Sequence, residues 1–146
     1  ARELAASWEK RCDGGDHTFL TFDGNGWSMK YNMVWDKLFG LNLMDDGYYA
    51  RENAWYKAHT NEFGLPLDSR SDYTKSDWIM WVAALAPAED FSAYAAPIAH
   101  YIRNTVCRVA FSDWYDSKNG TYQHFIARSV QGGVFMPMLM RKWTEK

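Results

Sequence analysis

From Trp78 to Ala86 the chain reads WIMWVAALA, a stretch with no polar side chain. The residues before it, Thr74 to Asp77, suit the start of a helix, with Thr74 as the predicted cap. A helix that is apolar on all sides has no solvent face and must be enclosed by other elements. It is also far short of the ~20 apolar residues that cross a bilayer. The rest of the chain therefore has to build a shell around one central helix.

The shell reads as helical. Residues 1–12 place Leu4, Ala5, Trp8 and Cys12 near helical spacing, and DGGD ends that run. From Trp27, the residues Tyr31, Val34, Trp35 and Leu38 continue one stripe, with Gly40 as the predicted stop. Residues 45–60 open on acidic side chains that suit a helix N-terminus. Residues 88–105 carry Phe91, Tyr94, Ala95, Ile98, Tyr101 and Ile102, with a kink or restart expected at Pro97. A last helix over 124–143 is weakened by Gly132, Gly133 and Pro137. Six helices and no strand make an all-α fold, and the 146 residues fit one domain or a piece of a larger one. The chain opens directly in a helical pattern without an initiating methionine, so residues 1–146 are read as a single fragment of a longer polypeptide.

A period runs through this pattern. The helices starting near Trp27, Thr74 and Gln123 follow long loops rich in acids and aromatics, at intervals of roughly fifty residues, a length that suits stacked helical hairpins. The loops are FDGNGW, LDSRSDYTKSDW and the segment 109–123, which includes FSDWYDSKNGTYQ. In stacked hairpins alternate helices start at the same end, so the three loops are expected to converge on one face.

Composition narrows the function classes. Aromatic residues make up 17% of the chain, enough to line a ligand cleft as well as fill a core. The net charge is -2 and no basic cluster is present, which argues against nucleic acid or an anionic membrane as partner. The four histidines never pair at i, i+4, so no metal is expected, and no cofactor motif stands out. Cys12 and Cys107 lack CxxC spacing and are expected to be buried thiols, with a disulfide left open.

Four motifs carry a family resemblance. WSMKYNMVWDKLFGLNL, GLPLDSRSDYTKSDWIMWVAALA, FSDWYDSKNG and FIARSVQGG occur in order, within residues 17–135. They resemble the C-terminal domain of the glutaminase A family of fungi and bacteria. The resemblance implies an α/α toroid of six helical hairpins, of which three hairpins, about half a ring, would lie here. It implies hydrolysis of the L-glutamine side-chain amide to glutamate and ammonia, in a secreted or periplasmic protein. Pro137 departs from the family pattern and puts the end of the last helix in question. A half ring leaves two open apolar flanks, to be covered by the remaining domains of the parent chain or by a second copy.

The loops offer candidates for the chemistry. Amide hydrolysis needs a nucleophile, a proton donor for the leaving nitrogen and donors for the oxyanion. Asp77 and Asp113 are the candidate catalytic residues. Trp27, Lys30, Asp68, Arg70, Tyr73, Lys75, Trp78, Trp114, Tyr115 and Arg128 are the candidate binding residues for a small-molecule substrate. Asp68 and Arg70 are expected to pair and hold their loop. Arg128, placed on the last inner helix, is expected to need Asp77 or Asp113 as partner. Two alternatives stay open: a carbohydrate-active enzyme, which needs two carboxyl groups flanking a cleft, and a non-catalytic ligand-binding or structural half-ring.

Overall fold

The computed structural model describes residues 1–108 and 110–145, and is mostly helical. Its six α-helices are α1 (Arg2–Cys12), α2 (Val34–Leu38), α3 (Asp46–Ala58), α4 (Ser76–Ala83), α5 (Phe91–Asn104) and α6 (Met136–Thr144). Short 3-10 segments cover Tyr31–Met33, Ala88–Asp90 and Ser129–Phe135. Strands β1 (Tyr73–Lys75) and β2 (Trp114–Asp116) form one antiparallel ladder.

The apolar helix is central, as its composition requires. Ile79, Met80, Val82 and Ala83 of α4 join Tyr94 and Ile98 of α5, Tyr56 of α3, and Trp27, Met29 and Leu65 in one core cluster. On its other side, Trp81, Ala84 and Leu85 pack on Val34 and Leu38 of α2 and on Met136 and Met140 of α6. α3 starts where its acids suggest: Asp45 caps it by accepting from the Tyr48 N–H at 2.7 Å.

Several boundaries depart from the sequence pattern. Trp27 does not open a helix. Its stripe has helical spacing, but Phe19 bridges to Trp27 and Ser28 to Asp68, so the backbone there pairs with other loops. Helical geometry begins only at Tyr31. Thr74 caps nothing. It lies in β1, buried, and its hydroxyl donates to the Leu65 carbonyl, while α4 starts at Ser76 without a side-chain cap. The two strands were not expected at all. The last helix is shorter than predicted: residues 129–135 form a 3-10 run and α6 begins at Met136. Pro137 sits in the first turn of α6, where its missing N–H has no partner to lose. α5 runs through Pro97 without a break, because the carbonyl it frees belongs to exposed Ala93. Cys12 and Cys107 are both buried and free. Val109, where the third loop was predicted to begin, lies outside the described residues.

Gly64 fixes the approach of the loop before β1 to the central helix. Its φ is +140°, and a Cβ there would lie 2.7 Å from Ile79 Cδ1 and 3.3 Å from the Tyr115 hydroxyl. Both neighbours are fully buried and have no room to yield. Gly64→Ala should therefore cost about 2–4 kcal/mol from overpacking and backbone strain together. A fall in the urea midpoint with an unchanged slope is the expected result.

An apolar groove stays open between α5 and the 3-10 run. Ile98, Ala99 and Ile102 face Phe111, Val134 and Phe135 across it, and Ile102 and Phe135 are exposed.

Candidate active site

The three acidic and aromatic loops do meet. The Ser69 N–H donates to the Trp27 carbonyl at 3.0 Å and the Met29 N–H to the Leu67 carbonyl at 2.8 Å, which joins the first loop to the second. The β1–β2 ladder joins the second to the third, with Tyr73 opposite Asp116, Thr74 opposite Tyr115 and Lys75 opposite Trp114. The second and third loops border an open cleft of about 490 Å³. Asp68, Arg70, Tyr73, Lys75, Trp78, Trp114 and Phe125 line it. A second hollow of about 430 Å³ shares Asp68, Arg70 and Trp78 and continues past Lys30 and Tyr31.

Strand alternation sorts the residues of β1 and β2. Lys75 and Trp114 are paired and reach the cleft. Tyr115, between them in phase, points the other way. It is fully buried, stacks on Tyr101 at 3.6 Å and donates its hydroxyl to the Phe63 carbonyl at 2.9 Å. Tyr115 therefore belongs to the core and does not reach the cleft.

Beneath the cleft floor lies a group of charges. Asp113 is 0% exposed. It accepts from Lys75 Nζ at 3.0 Å, from Arg128 Nε at 2.9 Å and from Arg128 Nη2 in a bidentate pair. Burial pushes the Asp113 carboxyl up, but the bonds and charges of Arg128 and Lys75 outweigh it and hold the group below the usual carboxylate range. Arg128 finds the buried carboxylate that its position demands, although it precedes the 3-10 run instead of sitting in a helix. One carboxylate shared by two cations leaves this group with a net positive charge. Lys75 also lies 5.1 Å from the Trp78 ring and 5.7 Å from the Trp114 ring, so the charge sits between two indoles.

Asp77 is the opposite case. It is buried in the first turn of α4, and its Oδ1 has no hydrogen-bond partner. Burial, and then the charge of Asp113, raise its pKa to about 6, against the pull of Lys75. Backbone N–H groups of Asp77 and Trp78 accompany it at the helix N-terminus. A carboxyl group balanced between its two states near neutral pH can both take and give a proton.

The remaining candidates hold the site's frame. Arg70 donates to Asp68 from Nε at 3.0 Å and from Nη2 at 2.7 Å, the expected loop-holding pair, which also forms the rim shared by the two hollows. Lys30 spends its ammonium on the Thr18 and Ser28 carbonyls and on Ser28 Oγ, at 2.7–3.2 Å. Burial pushes Lys30 down, with the charge of Glu52 opposing. Trp27 packs in the main core cluster, beside a separate hollow that it shares with His59. Sequence reasoning did not place Tyr31, Trp81, Gln131 or Gly133 at the site. Tyr31 stacks on Trp78 at 4.0 Å and meets Trp81 edge-on at 5.9 Å. Trp81 stands four residues after Asp77, on the same helix face, and that spacing was a signal in the sequence. Nothing in the sequence marks Gln131.

Among the described residues no group of His, Cys, Asp and Glu is arranged to hold a metal ion. No solved structure matches the chain significantly. Glutaminase A of Aspergillus oryzae is 33% identical over 148 residues, which cover 96% of this chain and 21% of that protein. A probable glutaminase of Arthroderma benhamiae is 30% identical over 159 residues, covering 88% of this chain and 18% of that protein. The chain thus spans about a fifth of the length of these relatives. The family described as the glutaminase A six helical-hairpin domain matches residues 1–138, which is nearly the whole chain, and the chain belongs to that family.

Proposed function

We propose that this chain is part of a larger hydrolase that releases ammonia from the side-chain amide of L-glutamine, and that Asp77 carries the proton. The observation behind this reading is a pair of unlike carboxyls, Asp77 and Asp113, close enough for their charges to interact. Asp113 is locked as an anion by Lys75 and Arg128, while Asp77 has one carboxylate oxygen without a partner and a pKa raised to about 6. Family membership supplies the substrate class.

The chemistry balances on one group. Ionised Asp77 takes a proton from a water molecule as that water adds to the amide carbon. The tetrahedral intermediate then collapses, the C–N bond breaks, and Asp77 returns the proton to the departing nitrogen. Glutamate and ammonia result, and Asp77 is ionised again.

The glycosidase reading receives less support. It needs two carboxyl groups facing each other across the cleft, about 5–10 Å apart. Asp113 is fully buried and is held by Lys75 and Arg128, so it is not free to face Asp77 across a cleft. The open apolar groove along α5 fits cover by other segments of the parent protein. A secreted or periplasmic setting follows from the family resemblance; no helix among the described residues is long and apolar enough to cross a membrane.

Ammonia release by the parent protein, assayed on L-glutamine alongside aryl glycosides, is the test. Ammonia without aryl release is the expected result. Absence of ammonia, or cleavage of the glycosides, would overturn the reading.

A further inference from the structure

A modification motif stands at the tip of the turn that follows β2. Asn119, Gly120 and Thr121 have the Asn-x-Thr form of an N-glycosylation acceptor, and Asn119 is the one asparagine of the chain with Ser or Thr two positions on. Three matching residues arise often by chance, so the placement of the motif decides its meaning.

The chain leaves β2 at Asp116, turns, and returns at Tyr122, which bridges to Tyr115. Its own backbone closes the turn. The Asp116 N–H donates to the Thr121 carbonyl at 2.9 Å, and the Gly120 N–H to the Asp116 carbonyl at 2.9 Å. Asp116 Oδ1 accepts from the Lys118 N–H at 2.8 Å and from the Asn119 N–H at 3.2 Å. Gly120 is the inward residue of the tip. It is buried with φ +70°, and a Cβ on it would lie 3.1 Å from Phe63 Cε1. Lys118, Asn119 and Thr121 around it are exposed.

The exposed pair suits the modification. The Asn119 amide oxygen turns back and accepts from the Thr121 N–H at 2.9 Å. The amide nitrogen, the atom that carries a sugar, is left without a protein partner among the described residues. Attachment there costs the fold neither a hydrogen bond nor buried surface.

We propose that Asn119 carries an N-linked oligosaccharide. This rests on the secreted setting proposed above, in a eukaryotic host like those of the two fungal relatives. In the transfer, Asn119 Nδ2 bonds to the anomeric carbon of an oligosaccharide held on a lipid diphosphate. The bond from that carbon to the diphosphate oxygen breaks, the lipid diphosphate leaves with the electron pair, and Nδ2 gives up one proton. The lipid-linked sugar and the transferase come from the host's secretory membrane. A bulky, hydrated chain at this tip keeps the corner in solvent, so the rest of the parent protein packs elsewhere on the fragment. No residue from 116 to 122 lines the 490 Å³ cleft. Lys118, paired with Asp72 at 3.0 Å, borders the separate hollow beside Trp27 and His59.

The test expresses the parent protein, with its own N-terminus, in a filamentous fungus, and reads the peptide over Asn119 by mass spectrometry in medium and cells. Secreted protein with an oligosaccharide on Asn119 is the expected result. Thr121→Ser should keep the sugar, while Thr121→Ala and Asn119→Gln should lose it. Both losses should come with the thermal midpoint of enzymatically deglycosylated wild type, since the turn is held by Asp116 and Gly120. Secreted wild type with a bare Asn119 overturns the proposal and leaves the secreted setting standing. Protein retained in the cytosol with a bare Asn119 overturns both. A sugar that survives Thr121→Ala is not placed by this motif, and that result also overturns the proposal.

Discussion

Asp113→Asn should be the most destabilising single change at the site, by about 3–5 kcal/mol. The carboxylate is fully buried and is the shared partner of Lys75 and Arg128, whose side chains are 14% and 31% exposed. Asparagine keeps the shape but removes the charge, so two cations are left facing one another with no anion between them. Breaking such a group by removing one member costs far more than the group contributes over an apolar replacement. For a chain of this length the midpoint of thermal unfolding should fall by about 10 °C. Adding Lys75→Met to Asp113→Asn removes one stranded cation and should return a measurable part of the loss, a coupling that a double-mutant cycle reads directly. The pH dependence has a fixed sign. The folded-state pKa of Asp113 is lowered. Its contribution is therefore complete above the unfolded carboxylate range, near pH 4, and disappears as pH falls through the lower folded value. Wild type and Asp113→Asn should converge in stability under acid. A gap that persists well below pH 3 would show that the stabilisation is not ionic.

How much of this was legible depended on the range of the interaction. The all-apolar α4 declared its central place because its composition leaves no other option. Asp45 announced α3 because a cap acts within one turn. The β1–β2 ladder was invisible, since each strand has three residues and the partners lie some forty positions apart, with no alternation long enough to read. Trp27 misled for the same reason. Its helical spacing is a local signal, and backbone pairing with the Asp68 loop overrode it. At the site, the sequence named both aspartates and the need of Arg128 for a carboxylate. It left the choice between Asp77 and Asp113 open, because only the ladder that carries Asp113 under Lys75 settles it. Tyr115 was misplaced by one strand position, which is enough to turn a side chain from cleft to core. Trp81 and Gln131 went unseen because a buried amide or indole nitrogen becomes noteworthy only when its partner is missing.

Asp77→Asn should stabilise the fold and disable the enzyme at once. The group's folded-state pKa is raised to about 6 from the ordinary aspartate value of 3.8. The folded state thus holds this proton more tightly than the unfolded chain does. Its favourable contribution is fully present below about pH 4 and is lost as pH rises through about 6, the reverse of Asp113. Above pH 7 the buried anion destabilises the native state by an amount of order 3 kcal/mol. Asparagine has no charge to bury, so Asp77→Asn should exceed wild type in stability at pH 8 and lose that advantage at pH 4. In the parent protein the same change removes the group that both takes and gives the proton, and kcat on L-glutamine should fall about 10²–10⁴-fold. The wild-type rate should rise with pH through an apparent pKa near 6, as Asp77 ionises to act as base, and that limb should be missing from the residual activity of Asp77→Asn. Stability gained where activity is lost marks a residue kept for chemistry at a cost to the fold. If Asp77→Asn instead lowers stability at pH 8 and keeps activity, then Asp77 is a structural acid at the start of α4, and the proton must be carried elsewhere.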